Sequence, residues 1–545
     1  MNLKLWFTFF FAFSPFLLMA KTYFISPDGN DRSSGLSTAT AWRSIAKVNA
    51  TQIEPGDTIL FKGESVFRGN LYFRQPEDLS GSEPIVISSY GNGRATIAAG
   101  KSYGIYIHNR AGFSISNLHI KGNGPDQNDN HGILFYNELP GDVKLDHVQI
   151  DQVEIEGFGK TGITLGAARG NSGYKNVRIT NAIVHNIGSE GIYVWGFFDQ
   201  QKTGYAHQNI YVGHCHVYHV KGLSLYDKHS GSGIILSDVN DGTIEHSVVH
   251  SSGSGNTHCG GPVGIWAWDA NNIKIQFNEA YNMRAGNGCD GGGFDLDGGV
   301  TNSVMQYNYS HDNDGAGFLV AQFEWARPMR NNTIRFNISE NDGLKNGYNA
   351  ITLWVADTNN NGGNNDLYIY NNTIYADKNV TTSGGGIYFK SPGHRNVHIY
   401  NNIFYMKNGA PFVKLDTTAV DASFLNNIYY HDGKSGPQWI WGDTTFTSLL
   451  DFQDNTLQEI FDGQRFGFTV DPLLQAAGKG GTLGYPLELV KLKQTYALRR
   501  DSPLINKGLE LRRLLGLSIG NHDFFGNEIA VVEQISIGVD DPDED

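Results

Sequence analysis

The 545-residue sequence has little cysteine, few basic side chains and no long apolar run beyond its N-terminus. Three cysteines are too few to build a disulfide framework. The chain has 41 Lys and Arg residues against 55 Asp and Glu residues, and no basic run stands beside aromatics, so nucleic acid is not an expected partner. No later stretch approaches the roughly 20 apolar residues of a membrane span. These absences predict a soluble mature protein.

The apolar run at the N-terminus covers residues 5–18. Lys4 precedes it and the small residue Ala20 follows it, as in a secretory signal peptide. No Cys follows the run to take a lipid. We therefore expect residues 1–20 to be a signal peptide and the mature chain to be secreted, either into the periplasm or to the extracellular space.

Most of the remaining chain follows two repeats that share one period. In the first repeat a small residue precedes Ile or Phe, at Gly104, Gly132, Gly162, Gly191, Gly233, Gly264, Gly293, Gly317, Ala350 and Gly386. The steps average about 31 residues, and the 42-residue step from 191 to 233 predicts an inserted loop. In the second repeat Asn or His follows an apolar residue, at Asn181, His214, His246, Asn278, Asn308, Asn337, Asn371, Asn401 and Asn426. Two series with one period predict strands stacked about 4.8 Å apart in a parallel β-helix.

The repeats also predict how the chain is divided. Residues 21–430 are expected to form the β-helix, closed at its N-terminal end by a short helix within residues 41–50, because an open solenoid end exposes apolar core and strand edges. The repeats cease near residue 430, and residues 431–545 are expected to pack on the solenoid or extend it. The acidic tail from Asp540 to Asp545 is predicted to be disordered.

Several segments resemble a known family. The opening Tyr23-Phe-Ile-Ser-Pro-Asp-Gly-Asn, the turn Pro55-Gly56-Asp57-Thr58, both repeats, and the late Ser502-Pro-Leu-Ile-Asn506 and Asp523-Phe-Phe-Gly526-Asn527 are similar to exported bacterial β-helix proteins of the pectin-lyase-like superfamily. The resemblance covers roughly residues 22–530. It implies an all-β, right-handed parallel β-helix, and it looks closest to β-helix glycosidases that act on fucose-containing or other complex glycans. That superfamily also contains lyases, epimerases and phage adhesins.

One strip of the predicted solenoid surface combines aromatic and carboxylate side chains. The second and fourth residues after each repeat glycine should point outward, which places Asp295 and Asp297 beside the Trp266/Trp268 pair. Sugar rings stack on aromatic faces, and hydrolysis of a glycosidic bond uses two carboxyl groups. We therefore predict a polysaccharide-cleaving glycoside hydrolase, endo-acting, with a groove along this strip. The alternative to a catalytic or binding role is that each Asp is simply solvated and that each Trp packs under a loop.

The predicted site has a catalytic set and a substrate-binding set. The catalytic candidates are Asp295, Asp297, Glu324 and Asp269. The substrate-binding candidates are Trp195, His229, Trp266, Trp268, Arg284, His311, Trp325, Trp354 and Lys390. Two residues along a strand span about 6.6 Å, which favours inversion of the anomeric centre if Asp295 and Asp297 are the pair.

Two other functions stay open. A polysaccharide lyase needs a base and a cation that neutralises a uronate, and Asp290, Asp312 and Asp314 are then candidates for a Ca²⁺ site. A hydrolase requires no cofactor. A non-catalytic glycan-binding adhesin would keep the aromatic residues and have no use for paired carboxylates. In each case the expected partner is a polysaccharide and the expected state is a monomer.

Cys259 and Cys289 are 30 residues apart, which is about one repeat. Stacked loops on neighbouring turns would bring them within bonding distance, so a disulfide is predicted, with two buried thiols as the alternative. Cys215 is expected to be a buried thiol.

Overall fold

The computed structural model describes residues 20–74, 83–224, 228–358, 361–380, 384–433, 435–529 and 534–542. The predicted signal peptide lies outside these ranges except for Ala20. Within the described residues, no helix combines the length and the apolar character that crossing a membrane requires.

The chain winds through three long sheets, named A, B and C, and each strand pairs with the equivalent strand of the next turn. Sheet A contains Thr22–Ile25, Thr58–Lys62, Ile85–Tyr90, Phe113–Ser116, Lys144–Asp151, Gly173–Thr180, His207–Gly213, Val239–Glu245, Asn271–Gln276, Val304–Gln306, Met329–Arg335, Asn364–Tyr370, His394–Tyr400 and Ala422–Leu425. Sheet B contains Val66–Arg68, Ala95–Gly100, Leu118–Gly122, Glu154–Glu156, Ile183–Ile187, His216–Val220, Val248–His250, Glu279–Tyr281, Tyr309–His311, Ile338–Glu340, Thr373–Asp377, Ile403–Lys407 and Ile428–Asp432.

Sheet C carries the strip on which the site was predicted. Its strands are Leu71–Arg74, Ile105–His108, Ile133–Asn137, Thr161–Ala167, Glu190–Trp195, Ser232–Ser237, Val263–Trp268, Gly292–Leu296, Phe318–Gln322, Ile351–Val355, Ile387–Phe389, Val413–Leu415, Trp439–Trp441 and Thr444–Phe446. Pairing is parallel except between the last two strands. The predicted all-β, right-handed parallel β-helix is confirmed.

Short helices lie at the two ends of the chain. They are α1 (Ile45–Asn49), α2 (Leu449–Thr456), α3 (Lys493–Tyr496) and α4 (Leu511–Leu515), with 3₁₀ turns at Thr38–Thr40 and Leu489–Leu492. A two-stranded hairpin joins Ile460–Phe461 to Gln464–Arg465. Helix α1 buries Ile45 and Val48 on the first turns, as expected for an N-terminal cap.

The repeat glycines are explained by close contacts in the solenoid interior. A Cβ atom at Gly191 would lie 2.4 Å from the Cγ1 of Val217 and 2.6 Å from the carbonyl oxygen of Gly233. The following Ile192 points inward and pairs with Ile163 and Ile234 of the adjacent turns. The first repeat therefore marks the place where sheet B packs closely against the start of each sheet C strand.

The asparagine series mixes two neighbouring positions. The buried amide stack runs through Asn278, Asn308, Asn337, Asn372, Asn402 and Asn427, each Nδ2 donating to the next Oδ1 at 2.9–3.1 Å. The prediction was therefore wrong by one residue at Asn371, Asn401 and Asn426. Those three lie at the preceding left-handed corner, with φ of 53°, 55° and 60°. Asn181, His214 and His246 occupy the same corner in earlier turns, with φ of 52°, 54° and 51°.

The solenoid continues beyond the predicted end at residue 430. Trp439–Trp441 adds one more parallel strand to Val413–Leu415, and Phe452 of α2 then stacks on Trp439 with ring centroids 5.7 Å apart. The later residues turn back and cover the outer face of sheet B, where they form a second apolar core. Asp540 is buried in this segment and accepts a 2.7 Å hydrogen bond from the backbone N of Leu498. The predicted disorder is therefore wrong for residues 540–542, and residues 543–545 lie outside the described ranges.

Candidate active site

The outer face of sheet C brings the predicted carboxylates and tryptophans together. Strand pairing places Asp295 directly between Trp266 and Leu319 of the adjacent turns. Trp268 follows two residues after Trp266 on the same strand, and Asp297 follows Asp295 just beyond the end of Gly292–Leu296. The register that was inferred from the repeat glycines is the one the strands adopt here.

Loops cover this part of the strip and turn it into a cavity of about 590 Å³. The aromatic part of its lining consists of Phe198, Trp266, Trp268, Phe323, Tyr348 and Trp354. The ionisable part consists of His229, His258, Asp290, Asp295, Asp297 and Lys390. Volumes of this size are typical of sites that enclose a small ligand, so the cavity suits a short oligosaccharide portion.

Asp295 is a carboxyl group held away from water. The residue is 2% exposed, and its Oδ1 has no hydrogen-bond partner among the described residues. Burial, followed by the nearby carboxyl groups of Asp297 and Asp290, raises the pKa of Asp295 well above the usual range of an aspartate. The protonated form of Asp295 is therefore favoured.

Asp297 has a different environment, because it is partly exposed and hydrogen-bonded. The backbone N of Gly298 donates to its Oδ1 at 2.6 Å, which favours the charged form. Burial outweighs that hydrogen bond and, with the charge of Asp290, raises the pKa of Asp297 to about 7. Asp295 is the more fully buried of the two and lacks a partner for Oδ1, whereas Asp297 accepts a hydrogen bond, so their environments differ as those of an acid and a base do.

Asp290 is a third carboxyl group in the cavity. Its Oδ1 accepts a hydrogen bond from the Tyr348 hydroxyl, and the Nζ of Lys390 lies 4.5 Å from the centre of the Tyr348 ring. Burial raises the pKa of Asp290, while the bond from Tyr348 and the charge of Lys390 act in the opposite direction. This group forms one end of the polar lining.

Several polar atoms of the cavity lining lack partners. Within the described residues no hydrogen bond is made by the shielded Nε1 atom of Trp266, the Nδ1 atoms of His229 and His258, or Oδ1 of Asp295. A buried polar atom without a partner costs about 1–3 kcal/mol, and folded proteins hold few of them. Their concentration in one cavity points to a ligand that both donates and accepts hydrogen bonds, as sugar hydroxyl groups do.

The wall beside His229 is built from two loops joined by a disulfide. Cys259 and Cys289 are bonded, with their Cα atoms 4.5 Å apart, and both line the cavity. His229 packs edge-on against Trp266 with ring centroids 5.1 Å apart. Burial lowers the pKa of His229 to about 4, so its ring is neutral at neutral pH. Cys215 is buried and unbonded to another sulfur.

The opposite wall is held by two buried ion pairs. Lys202 of the inserted segment pairs with Asp238, and Arg327 pairs with Asp269. Above these pairs, the rings of Phe198 and Phe323 approach to 6.0 Å. Asp269 is consequently part of the support of this wall, and it is absent from the lining of the cavity.

Other predicted residues lie away from the cavity lining. Glu324 is an exposed loop residue, and Trp325 is 56% exposed. Arg284 pairs with Asp314 at 3.0 Å. His311 lies in sheet B, whose strands contribute nothing to the lining, between Glu279 and Asp312. Arg284 and His311 are outside the lining because they follow or belong to sheet B strands, and Glu324 and Trp325 are outside it because they lie on the exposed loop after Phe318–Gln322.

Trp195 also lies outside the lining, although it is on the same face of sheet C. The chain leaves the sheet directly after it, and the inserted segment separates it from Trp266. Of the predicted site residues, those in the lining are Asp295, Asp297, His229, Trp266, Trp268, Trp354, Lys390 and Asp290, together with Cys259 and Cys289.

The calcium hypothesis is not supported by the geometry. Among the described residues, no group of three or more His, Cys, Asp or Glu side chains is arranged to hold a metal ion. Asp312 contacts His311 and Asp314 contacts Arg284, whereas Asp290 contacts Tyr348. The three aspartates therefore do not form one site.

Sequence reasoning missed Phe198, His258, Phe323 and Tyr348. Phe198 and Phe323 lie on loops that leave sheet C, and His258 and Tyr348 lie on loops that enter it from sheet B. The repeat gives no register in any of these loops. The long step after Gly191 was a signal that an insertion covers the strip, but its length alone does not say which ring reaches the carboxylates.

The chain matches a family model described as a right handed beta helix region over residues 201–367. Among solved structures it is similar to native GH136 lacto-N-biosidase from Eubacterium ramulus, with 19% identity and a TM-score of 0.51 over 70% of this chain and 68% of that chain. It is also similar to XylC in complex with xylose, with 10% identity and a TM-score of 0.49 over 95% of this chain and 98% of that chain. Pectate lyase Pel9A is similar with 16% identity and a TM-score of 0.39 over 96% of each chain. A comparison with curated proteins finds no significant match. At 19% identity the likeness to the lacto-N-biosidase shows the fold alone.

Proposed function

We propose that the protein is an exported glycoside hydrolase that cleaves a neutral glycan in the sheet C cavity. The observation that carries the proposal is the pair of unequal carboxyl groups, Asp295 and Asp297, in a cavity that is also lined by Trp266, Trp268 and Trp354. The fold shared with the GH136 lacto-N-biosidase is consistent with this class. The protein is expected to act as a monomer without a cofactor, after removal of residues 1–20.

The two carboxyl groups have separate roles in the proposed reaction. Asp295 donates its proton to the glycosidic oxygen, because burial raises its pKa and so favours the protonated form. Asp297 accepts a proton from water, whose oxygen bonds to the anomeric carbon as the bond to the leaving sugar breaks. About two residues of strand separate the pair, which favours this single displacement with inversion.

The aromatic side chains position the sugar rings and take no part in proton transfer. Trp266 and Trp268 lie one turn before the carboxyl groups, and Trp354 lies beyond Ala321 on the other side. A sugar ring stacked on either side would hold the bond over Asp295. The unpartnered Nε1 atom of Trp266 is available to a sugar oxygen.

A lyase is the second candidate, and the charges of the cavity make it less favourable. A uronate would enter a lining with three aspartates and one lysine, while His229 is neutral. Tyr348 is a poor base, because burial and the charge of Asp290 raise the pKa of its hydroxyl. The adhesin candidate has no use for the paired carboxyl groups.

One experiment separates the three functions. The mature protein is incubated with a panel of neutral, fucose-containing, sulfated and uronate polysaccharides, and reducing ends are measured together with ultraviolet absorbance of unsaturated products. A hydrolase gives reducing ends without that absorbance, and Asp295→Asn and Asp297→Asn each lower the rate at least about a hundredfold. Asp312→Asn is the matched control, because this aspartate lies away from the cavity. Unsaturated products contradict the proposal, and so does unchanged turnover in both active-site variants.

A further inference from the structure

A second aromatic surface lies on the outer face of sheet C, on the N-terminal side of the cavity. It consists of five rings, named here the aromatic strip: Tyr72, Tyr106, His108, Tyr136 and Trp195. Successive ring centroids are 5.3, 5.8, 5.9 and 6.2 Å apart. The strip crosses five consecutive strands, from Leu71–Arg74 to Glu190–Trp195. Four steps of about 4.8 Å make it roughly 19 Å long.

Trp195 lies flat on the sheet at the end of the strip. A Cβ atom at Gly166 would be 2.5 Å from the Cζ2 of Trp195, so the indole rests directly on the backbone of the previous turn. The residue remains partly exposed, as do Tyr106 and Tyr136, and Tyr72 is 37% exposed, while the buried ring of His108 lies between Tyr106 and Tyr136. Contiguous exposed aromatic surface of this kind marks an interaction site more often than an isolated exposed ring does.

The polar groups along the strip indicate the chemistry of the partner. The Nε2 of His108 and the Oε1 of Glu138 are 2.8 Å apart, so the acidic group beside the rings is already paired. The other polar groups are the tyrosine hydroxyls, the indole N–H and the exposed guanidinium of Arg74, whose backbone pairs in register with His108. All of them can form hydrogen bonds with the hydroxyl groups of an uncharged ligand. A partner with apolar faces and many hydroxyl groups fits such a surface, and a carbohydrate chain has both.

The strip and the cavity lie on the same outer face of sheet C. Thr164, Tyr193, Ile235 and Trp266 follow one another along one line of paired residues, and Trp195 lies beside this line. Only the inserted segment that follows Trp195 separates the two surfaces. We propose that the aromatic strip is a second glycan-binding site, which holds a neutral polysaccharide outside the cavity and keeps the polymer near Asp295. The identity of the ligand rests on the proposed function.

Binding without cleavage is the direct test. The double variant Asp295→Asn/Asp297→Asn, called the parent, is used so that the polymer is not cleaved. It is run on native gels that contain arabinoxylan, galactomannan, mixed-linkage β-glucan or arabinogalactan, and its mobility gives a dissociation constant. Trp195→Ala with Tyr136→Ala is expected to weaken binding about fivefold or more. Gly166→Ala should act in the same direction, since its methyl group displaces the ring without removing it. Phe461→Ala, an exposed ring on the C-terminal hairpin, is the matched control.

The results separate this proposal from the hydrolase proposal. Equal mobility of the parent and the strip variants overturns the second site, and so does the absence of retardation by all four polymers. If Trp195→Ala unfolds the chain, Tyr72→Ala at the exposed edge of the strip provides the same comparison. In a chain with intact carboxylates, Trp195→Ala should raise KM severalfold for the polymer and leave kcat/KM for a short oligosaccharide unchanged. If the strip variants lose gel retardation but the intact protein cleaves no polysaccharide, the second binding site is supported and the hydrolase proposal is contradicted.

Discussion

Replacing Asp297 by Asn should stabilise the fold at neutral pH while it abolishes activity. The pKa of Asp297 rises from 3.8 to about 7 in the folded chain. Each unit corresponds to about 1.4 kcal/mol, so ionising this group in the folded state costs at most about 4 kcal/mol. Asn removes the charge and retains an oxygen that can accept the hydrogen bond from Gly298. A gain of about 1–3 kcal/mol is therefore expected above pH 7.

The pH dependence of that gain has a defined sign. Because the folded pKa is raised, the wild-type chain loses stability as pH rises from about 4 to about 7 and loses no more above that. The assay is the melting temperature of wild type and Asp297→Asn from pH 4 to pH 9. The difference should be near zero at pH 4, grow through pH 5–7 and then level off. Asp443→Asn, in the exposed turn between Trp439–Trp441 and Thr444–Phe446, should show no such growth. A variant that melts below the wild type at pH 8 would refute the reasoning.

Three further expectations concern the same cavity. The value of kcat/KM should rise as pH passes through about 7, where Asp297 loses its proton. It should fall again at higher pH, where Asp295 loses its proton. An acidic limb near pH 4 would contradict the assigned roles. Trp268→Ala should raise KM several times more than it lowers kcat, because it removes stacking area, and steady-state kinetics checks this. Cys259→Ser with Cys289→Ser should lower the melting temperature, since the disulfide closes a loop across a 30-residue separation, and alkylation before and after reduction reports its state.

Strand register could be predicted well because each turn of a solenoid must place equivalent residues above one another. The Gly-Ile repeat alone placed Asp295 beside Trp266, and the strands pair in that register. The asparagine series was less reliable, because two adjacent polar residues occupy different positions. The first lies at the left-handed corner, and the second belongs to the buried amide stack. In Asn371-Asn372 the sequence does not say which amide points inward.

Arg327 illustrates what a repeat cannot predict. It lies 58 residues after Asp269, yet the two form a buried pair that supports the cavity wall. The pairing depends on the loop after Phe318–Gln322 reaching back over two turns to Asp269, which directly follows Val263–Trp268. The repeat gives the spacing of the turns, but it does not say where a loop side chain reaches. The same is true of Phe198 and Tyr348, whose loops bring them into the lining.

The sequence by itself determined the β-helix, its register and the row of aromatic and acidic side chains on one outer face, because periodic hydrophobic and glycine positions are enough to specify stacked strands. Only the tertiary structure decided that this row is divided into a buried cavity and an open aromatic strip. Loops of unequal length cover the outer face at some turns and leave it open at others. Whether Asp295 is a solvated surface charge or a protonated acid depends on that cover, since desolvation sets the pKa of the group.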